Sequence, residues 1–212
     1  FIDPFILPAT TPDTLDKHLE TYNKKISDYK WPKIPGESLS SLSTGMILNA
    51  YGAKDFRKVV SCLVSHMRVW QISARFDVPL IVFEHDAILT KQLSKNIFDK
   101  LLGDHNNFGI IGLNDPRGAT RKSNEYLEKV LRTSNTNTLK VNAPWIDDKR
   151  IPQGIAGNSA YIISPHGAKK LFEIIDSVNL WPNDALMCKQ LMGNMLYQAY
   201  PFYTRLQGIK ST

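Results

Sequence analysis

Cysteine is scarce in this 212-residue chain: Cys62 and Cys188 are the two present, far apart and both in stretches that read as helical. Two cysteines cannot supply the disulfide framework of a small secreted scaffold, so free thiols are the simpler expectation. Long apolar runs are missing too. No window reaches the ~18 consecutive apolar residues of a membrane-spanning helix, and none reads as a signal peptide, so a soluble, cytoplasmic protein without a transmembrane segment is expected. Internal repeats and low-complexity tracts are absent, which excludes a repeat array. Basic residues cluster only in short pairs such as Lys24-Lys25 and Lys169-Lys170, not in the polybasic arm that marks a nucleic-acid-binding tail.

What remains is the composition of an ordinary globular enzyme, 42% hydrophobic and 22% charged, long enough to bury one substantial core as a single domain over residues 1–212. Lys and Arg outnumber Asp and Glu by 26 to 20, a net charge of +6 that favours polyanionic ligands without choosing among phosphates, nucleic acid and anionic membrane.

The most informative stretch is Pro79-Leu80-Ile81-Val82-Phe83-Glu84-His85-Asp86. Its apolar, β-branched first half is too short for a typical helix and reads as a buried strand of a parallel or mixed sheet. It ends in two carboxylates, Glu84 and Asp86, where the strand leaves the core. Open α/β sheets bind ligands at the carboxyl ends of their strands, and carboxylate oxygen suits Mg²⁺ or Mn²⁺ bridging to a substrate's phosphates. Acids at strand ends are also commonly just solvated.

In chain order, Pro4 to Pro8 reads as a first strand and Ala9-Thr10-Thr11 as a loop. Thr11 then caps a helix carrying Leu15, Leu19, Tyr22 and Ile26 on one stripe. Tyr29 to Pro32 reads as a short strand and Lys33 to Ser43 as a loop. From Asp55 to Phe76 the pattern is strongly helical, with His66 at the edge of the apolar face; a histidine there is as well explained by core packing as by function. Helices are expected over Lys91–Leu102 and Asn124–Leu131, and strands at Phe108–Leu113, Leu139–Trp145 and Met195–Tyr200. Small residues lead into a strand over Gly154–Ser164, Ser164 caps the next helix, and Trp181-Pro182-Asn183-Asp184 opens another that ends near Gly193. Asp184 in a first helical turn is explained by the helix dipole alone.

Four of these stretches, in this order, resemble glycosyltransferase family 25, the lipooligosaccharide and collagen galactosyltransferase-like group: Ser61 to Trp70, with Ser65-His66 ahead of the tryptophan; Pro79 to Leu89; Asn158 to Leu171; and Asn183 to Leu186. The resemblance implies a GT-A-like α/β sandwich, with a mixed, mainly parallel central sheet flanked by helices. It also implies transfer of a hexose from a nucleoside diphosphate sugar, UDP-linked, to a hydroxyl of a glycan or glycoprotein acceptor. A divalent metal, Mn²⁺ or Mg²⁺, would be held by Asp86 and Glu84. Pro8, Ala9 and Thr10 would line the nucleotide, with Ser65, His66 and His85 nearby; Asn158 would face the sugar or acceptor; Asp184 would be the catalytic base. His85 stands where the family's acidic triplet has its central acid, one negative charge fewer for a cation. Arg117, Arg121, Arg205 and Lys210 are further cations that could meet a diphosphate. Two other functions fit the same acids: a metal-dependent nuclease or phosphodiesterase, and a carbohydrate-binding relative without turnover.

Overall fold

The computed structural model describes residues 4–103, 108–134, 139–146 and 148–208. Helix α1 (Leu15–Glu20) is followed by a hairpin of β1 (Ser38–Ser40) and β2 (Ile47–Asn49), then by the longest element, α2 (Phe56–Phe76). Strands β3 (Leu80–Phe83) and β4 (Ala87–Leu89) flank the acidic turn. After them come α3 (Lys95–Leu102), β5 (Ile110–Gly112), α4 (Ser123–Thr133), β6 (Lys140–Asn142), β7 (Ala160–Ile163) and α5 (Pro165–Val178). Two single-turn helices, α6 (Asn183–Leu186) and α7 (Lys189–Met192), precede β8 (Leu196–Ala199) and β9 (Thr204–Leu206).

Five strands form the central sheet in the order β3-β7-β5-β8-β6. Strand β7 lies inside the sheet between β3 and β5, and its four residues are all buried. Side chains alternate across a strand. Tyr161 and Ile163 join α2 and α5 in the larger core, with Leu63, Met67, Trp70, Leu171 and Ile175, whereas Ala160 and Ile162 meet Phe98, Leu101 and Leu102 of α3 on the other face. The result is a helix–sheet–helix sandwich around one mixed sheet, the α/β architecture expected of a GT-A-like domain. A third cluster packs Tyr126 and Val130 of α4 against Val141, Ile146 and Ala156.

Several elements differ from the sequence reading. The sheet is mixed but not mainly parallel: β5 and β8 run parallel, while β3–β7, β5–β7 and β6–β8 are antiparallel. The acidic strand β3 is an edge strand, half-buried with Phe83 exposed, rather than a buried interior one. Chain continuing past Asp86 leaves this sheet and pairs as β4 with β9. Residues 4–8 form no strand; at its end Pro8 O is held by the Arg68 side chain of α2 rather than by a ladder. Tyr29 makes a lone bridge to Leu180, the 33–43 loop contains β1, and the helix expected after Trp181 is broken at Met187-Cys188 into two short turns. Both cysteines are free; Cys62 is exposed, and Cys188 is buried and precedes α7. No helix among the described residues is long and apolar enough to cross a membrane.

Candidate active site

The site lies where β3 ends and β7 begins, under the N-terminal half of α2. Asp55 starts that helix as its N-cap, accepting the Arg57 amide. Residues four apart lie one above another on a helix, so Cys62, His66 and Trp70 share one stripe and Ser61 and Ser65 the next.

His66 is buried, and both its ring nitrogens are engaged: Nε2 lies 2.8 Å from Glu84 Oε1 and Nδ1 lies 2.7 Å from the Tyr161 hydroxyl. Tyr161 also accepts from Trp70 Nε1 at 2.9 Å. An ionised carboxylate only accepts, so Nε2 carries the proton in this pair. Partial burial acts to raise the Glu84 pKa, but the hydrogen bond and positive character of His66, with His85 adding, hold its carboxyl below the ordinary glutamate range. The Glu84 amide donates to Ser159 O at 2.7 Å. Gly157, at φ +73°, turns the chain into Asn158-Ser159 in a conformation that favours glycine.

Opposite this chain, Asp184 in the first turn of α6 accepts from the Tyr51 hydroxyl at 2.6 Å and from the Ala185 amide at 3.0 Å, both through Oδ1. The carboxyl opens to solvent but is walled by protein. That desolvation, with the Glu84 charge adding, raises its pKa against the pull of the two hydrogen bonds. Between the acids sits Cys62, whose thiol is pushed up to about 12, first by desolvation and then by the charges of Glu84, Asp184 and Asp86. Three carboxylates from two separate parts of the chain, the acidic turn and α6, therefore surround one point of α2.

The N-terminal segment lies antiparallel along α2. Arg57 donates to Pro12 O at 2.9 Å, Ser65 Oγ accepts from the Thr10 amide at 2.9 Å, and Arg68 donates to Pro8 O at 2.7 Å. Ser65 also donates to Ser61 O, so its hydroxyl positions the segment. Pro8 and Ala9 are exposed and Thr10 is buried. Among the described residues, four buried side-chain atoms have no hydrogen-bond partner: Thr10 Oγ1, Ser61 Oγ, Asp86 Oδ1 and Asn158 Nδ2. All four belong to the segments just described. Buried polar atoms are normally paired, and an orphan in a native fold calls for an explanation such as an ion or ligand group.

The structure thus brings together Thr10 with Ser65, His66 with Glu84, and Asn158 and Asp184 with the acidic turn. Exposed His85 lies close enough to bias Glu84. Arg117 and Arg205 do not join this cluster; both line a pocket past the end of β4. Lys210 lies outside the described residues. Sequence reasoning missed Tyr51, Cys62 and Tyr161. The i, i+4 spacing from Cys62 to His66 to Trp70 was visible, but Tyr51 meets an acid 133 residues away and nothing local marks it.

The model of glycosyltransferase family 25, described as an LPS biosynthesis protein, matches residues 57–187, from the first turn of α2 to the end of α6. The chain belongs to this family. It is therefore a glycosyltransferase, acting between a sugar donor and an acceptor. A comparison with curated proteins finds no match. The family match spans His66, Glu84, Asp86, Asn158 and Asp184, whereas Thr10, Tyr51 and Arg205 lie outside it.

Proposed function

We propose that this glycosyltransferase moves a hexose from a UDP-linked sugar to a hydroxyl of a glycan or glycoprotein acceptor with the help of a divalent cation. The observation that carries the reading is the convergence of Glu84, Asp86 and Asp184 beside orphaned polar atoms on three neighbouring segments, at Thr10, Ser61 and Asn158. The residues fit a hard cation. Asp86 offers a buried carboxylate oxygen with no protein partner, and Glu84 keeps Oε2 free of protein hydrogen bonds among the described residues. A bound Mn²⁺ or Mg²⁺ would offset the charge of the departing diphosphate.

The chain's own groups supply the rest. Thr10 Oγ1, with the exposed backbone of Pro8 and Ala9, lines the nucleotide; Ser65 holds that segment in place, and His66 fixes the direction of Glu84. His85 supplies positive character beside the diphosphate. Asn158 Nδ2 donates to a sugar hydroxyl. Asp184, with Oδ1 occupied by Tyr51 and Ala185, presents Oδ2 to the acceptor. The acceptor oxygen bonds to the anomeric carbon, the bond from that carbon to the diphosphate breaks with its electron pair leaving on the nucleotide, and the acceptor's proton passes to Asp184. A carboxylate whose pKa is raised is the better base for this step.

Calorimetric titration with UDP, UDP-glucose and UDP-galactose, in Mn²⁺ and in chelator, tests the reading on the parent and on Asp86→Ala. Binding that needs Mn²⁺ and disappears in the variant is expected. Equal binding by the variant would remove Asp86 from the donor site, and no binding of any UDP compound would exclude UDP-linked donors.

A further inference from the structure

Apart from the acidic turn, a cavity of about 520 Å³ opens past the end of β4. Its charged walls are Lys91, Arg117, Arg205 and the acid Asp115, and its apolar surface includes Leu131, Tyr200 and Phe202. Arg117 is forked onto Asp115, with contacts of 3.0 Å and 2.5 Å. Lys91 and Arg205 are exposed and have no partner for their charged heads among the described residues. Three cations thus face one carboxylate around a floor of two aromatic rings packed edge to face, 5.4 Å apart at 81°, beside Leu131, which is 44% exposed. Ordinary pockets combine apolar walls with a few placed polar groups, and a planar guanidinium matches a carboxylate or phosphate with two parallel hydrogen bonds. An apolar floor under a cationic rim suits a ring with a hydrocarbon face and an anionic substituent.

The pocket is tied to the acidic turn by one strand. Asp86 O accepts from the Gln207 amide at 2.8 Å, β4 then pairs with β9 so that Ile88 faces Arg205, and Thr90 and Lys91 reach the cavity. Four residue steps lead from Asp86 to Thr90, about 13 Å at ~3.3 Å per step of extended chain.

We propose that this cavity is an acceptor subsite for an acidic saccharide unit, one bearing a carboxylate or a phosphate, held by Arg205 and Lys91 over Tyr200 and Phe202. Its distance from Asp86 makes the acidic unit a neighbour of the sugar that receives the hexose, so the subsite selects extended, negatively charged acceptors. The inference rests on the transferase reading of the acidic turn for its role, but not for its ligand class.

The test titrates the full chain with digalacturonate, glucose 6-phosphate, lactose and inorganic phosphate, following backbone amide shifts, and measures UDP-galactose binding with Mn²⁺ in the same preparation. One or both acidic sugars should bind, lactose and inorganic phosphate at least about tenfold more weakly, and the paired change Arg205→Gln with Lys91→Gln should weaken the acidic sugar about tenfold or more. Both substituted residues are exposed, so folding is retained. Leu131→Glu, which sets a negative charge at the mouth, should act in the same direction. UDP-galactose binding should be unchanged in every variant. Digalacturonate or glucose 6-phosphate binding alone identifies the carboxylate or the phosphate as the recognised group. The proposal is overturned if neither acidic sugar binds, if inorganic phosphate binds as well as they do, if the paired variant binds like the parent, or if that variant loses UDP-galactose instead. Acidic-sugar binding without any UDP-sugar binding would instead sink the donor reading and leave the saccharide site standing.

Discussion

His66 Nε2 meets Glu84 Oε1 at 2.8 Å, and the other face of the same ring is fixed by Tyr161 at 2.7 Å. The acidic turn is thereby wired to the sheet interior, because Tyr161 lies on β7 and its hydroxyl also accepts a hydrogen bond from the Trp70 indole N–H. Tyr161→Phe keeps the ring and deletes the oxygen. It leaves Trp70 Nε1 and His66 Nδ1 unpaired in a buried setting, which costs about 1–3 kcal/mol per orphaned group. Urea unfolding should show that loss, with Glu84 less well oriented and turnover reduced. A Tyr161→Phe midpoint equal to the parent's would contradict the wiring.

The same pair fixes a pH dependence. Glu84 has a folded pKa below its unfolded value, so its contribution to stability is complete above the unfolded value of about 4.3 and is lost as pH falls through the folded one. The unfolding midpoint should therefore drop more steeply in the parent than in Glu84→Gln as pH is lowered from 5 towards 3. Parallel curves would mean that the carboxylate is not held by His66.

Asp184 has the opposite sign. Its folded pKa is raised, so its neutral form is favoured, and the associated stability is present below the unfolded pKa and lost as pH rises through the folded one. Asp184→Asn keeps the shape without the charge. It should match or exceed the parent's thermal midpoint at pH 7, retain UDP-sugar binding and lose turnover by ~10² to 10⁴-fold, the range ascribed to a positioned base. Tyr51→Phe, which removes one of the two hydrogen bonds to Oδ1, should give a smaller loss. Full turnover in Asp184→Asn would exclude it as the base.

Much of this arrangement was legible in the sequence where local chemistry decides it. The long helix α2, the Ser164 cap of α5 and the acids following an apolar strand all follow from side-chain spacing, and all are present. What was not legible depends on pairing between distant segments. The apolar run of β3 fits an interior parallel strand and a half-covered antiparallel edge equally well, and only the return of β7 beside it settles the direction. Tyr51 and Tyr161 look like ordinary core aromatics until the fold sets Asp184 and His66 against their hydroxyls. Arg205 seemed a diphosphate contact by charge alone, yet β9 carries it past the acidic turn.

Cys62 reports on the converging acids. Although exposed, its thiol is pushed up to about 12 by desolvation and by Glu84, Asp184 and Asp86. Thiolate is the reactive species, so iodoacetamide at pH 8 should label Cys62 far more slowly than a free cysteine in solution. Combining Glu84→Gln with Asp184→Asn should speed labelling without reaching the free rate, because desolvation, the largest cause, remains. Labelling of the parent at the rate of free cysteine would show that the three acids do not converge there.

Helix α5 reaches the sheet closely enough to seat Tyr161 and its neighbours because Gly167 has no side chain. Ser164 accepts the Gly167 amide at 3.0 Å and donates to Phe108 O at 2.6 Å, pinning the helix start to the segment that leads into β5. A Cβ on Gly167 would lie 2.6 Å from Gly109 Cα and its carbonyl carbon, and neither backbone can step aside without breaking the Ser164 amide's bond to Gly109 O. Gly167→Ala should therefore destabilise the fold by at least ~1–3 kcal/mol, the cost of overpacking a tight core. Alanine is the better helix former, so propensity alone predicts the reverse sign. Urea unfolding of Gly167→Ala decides between them, and a midpoint above the parent's would mean that α5 stands farther from β5 than the backbone contact requires.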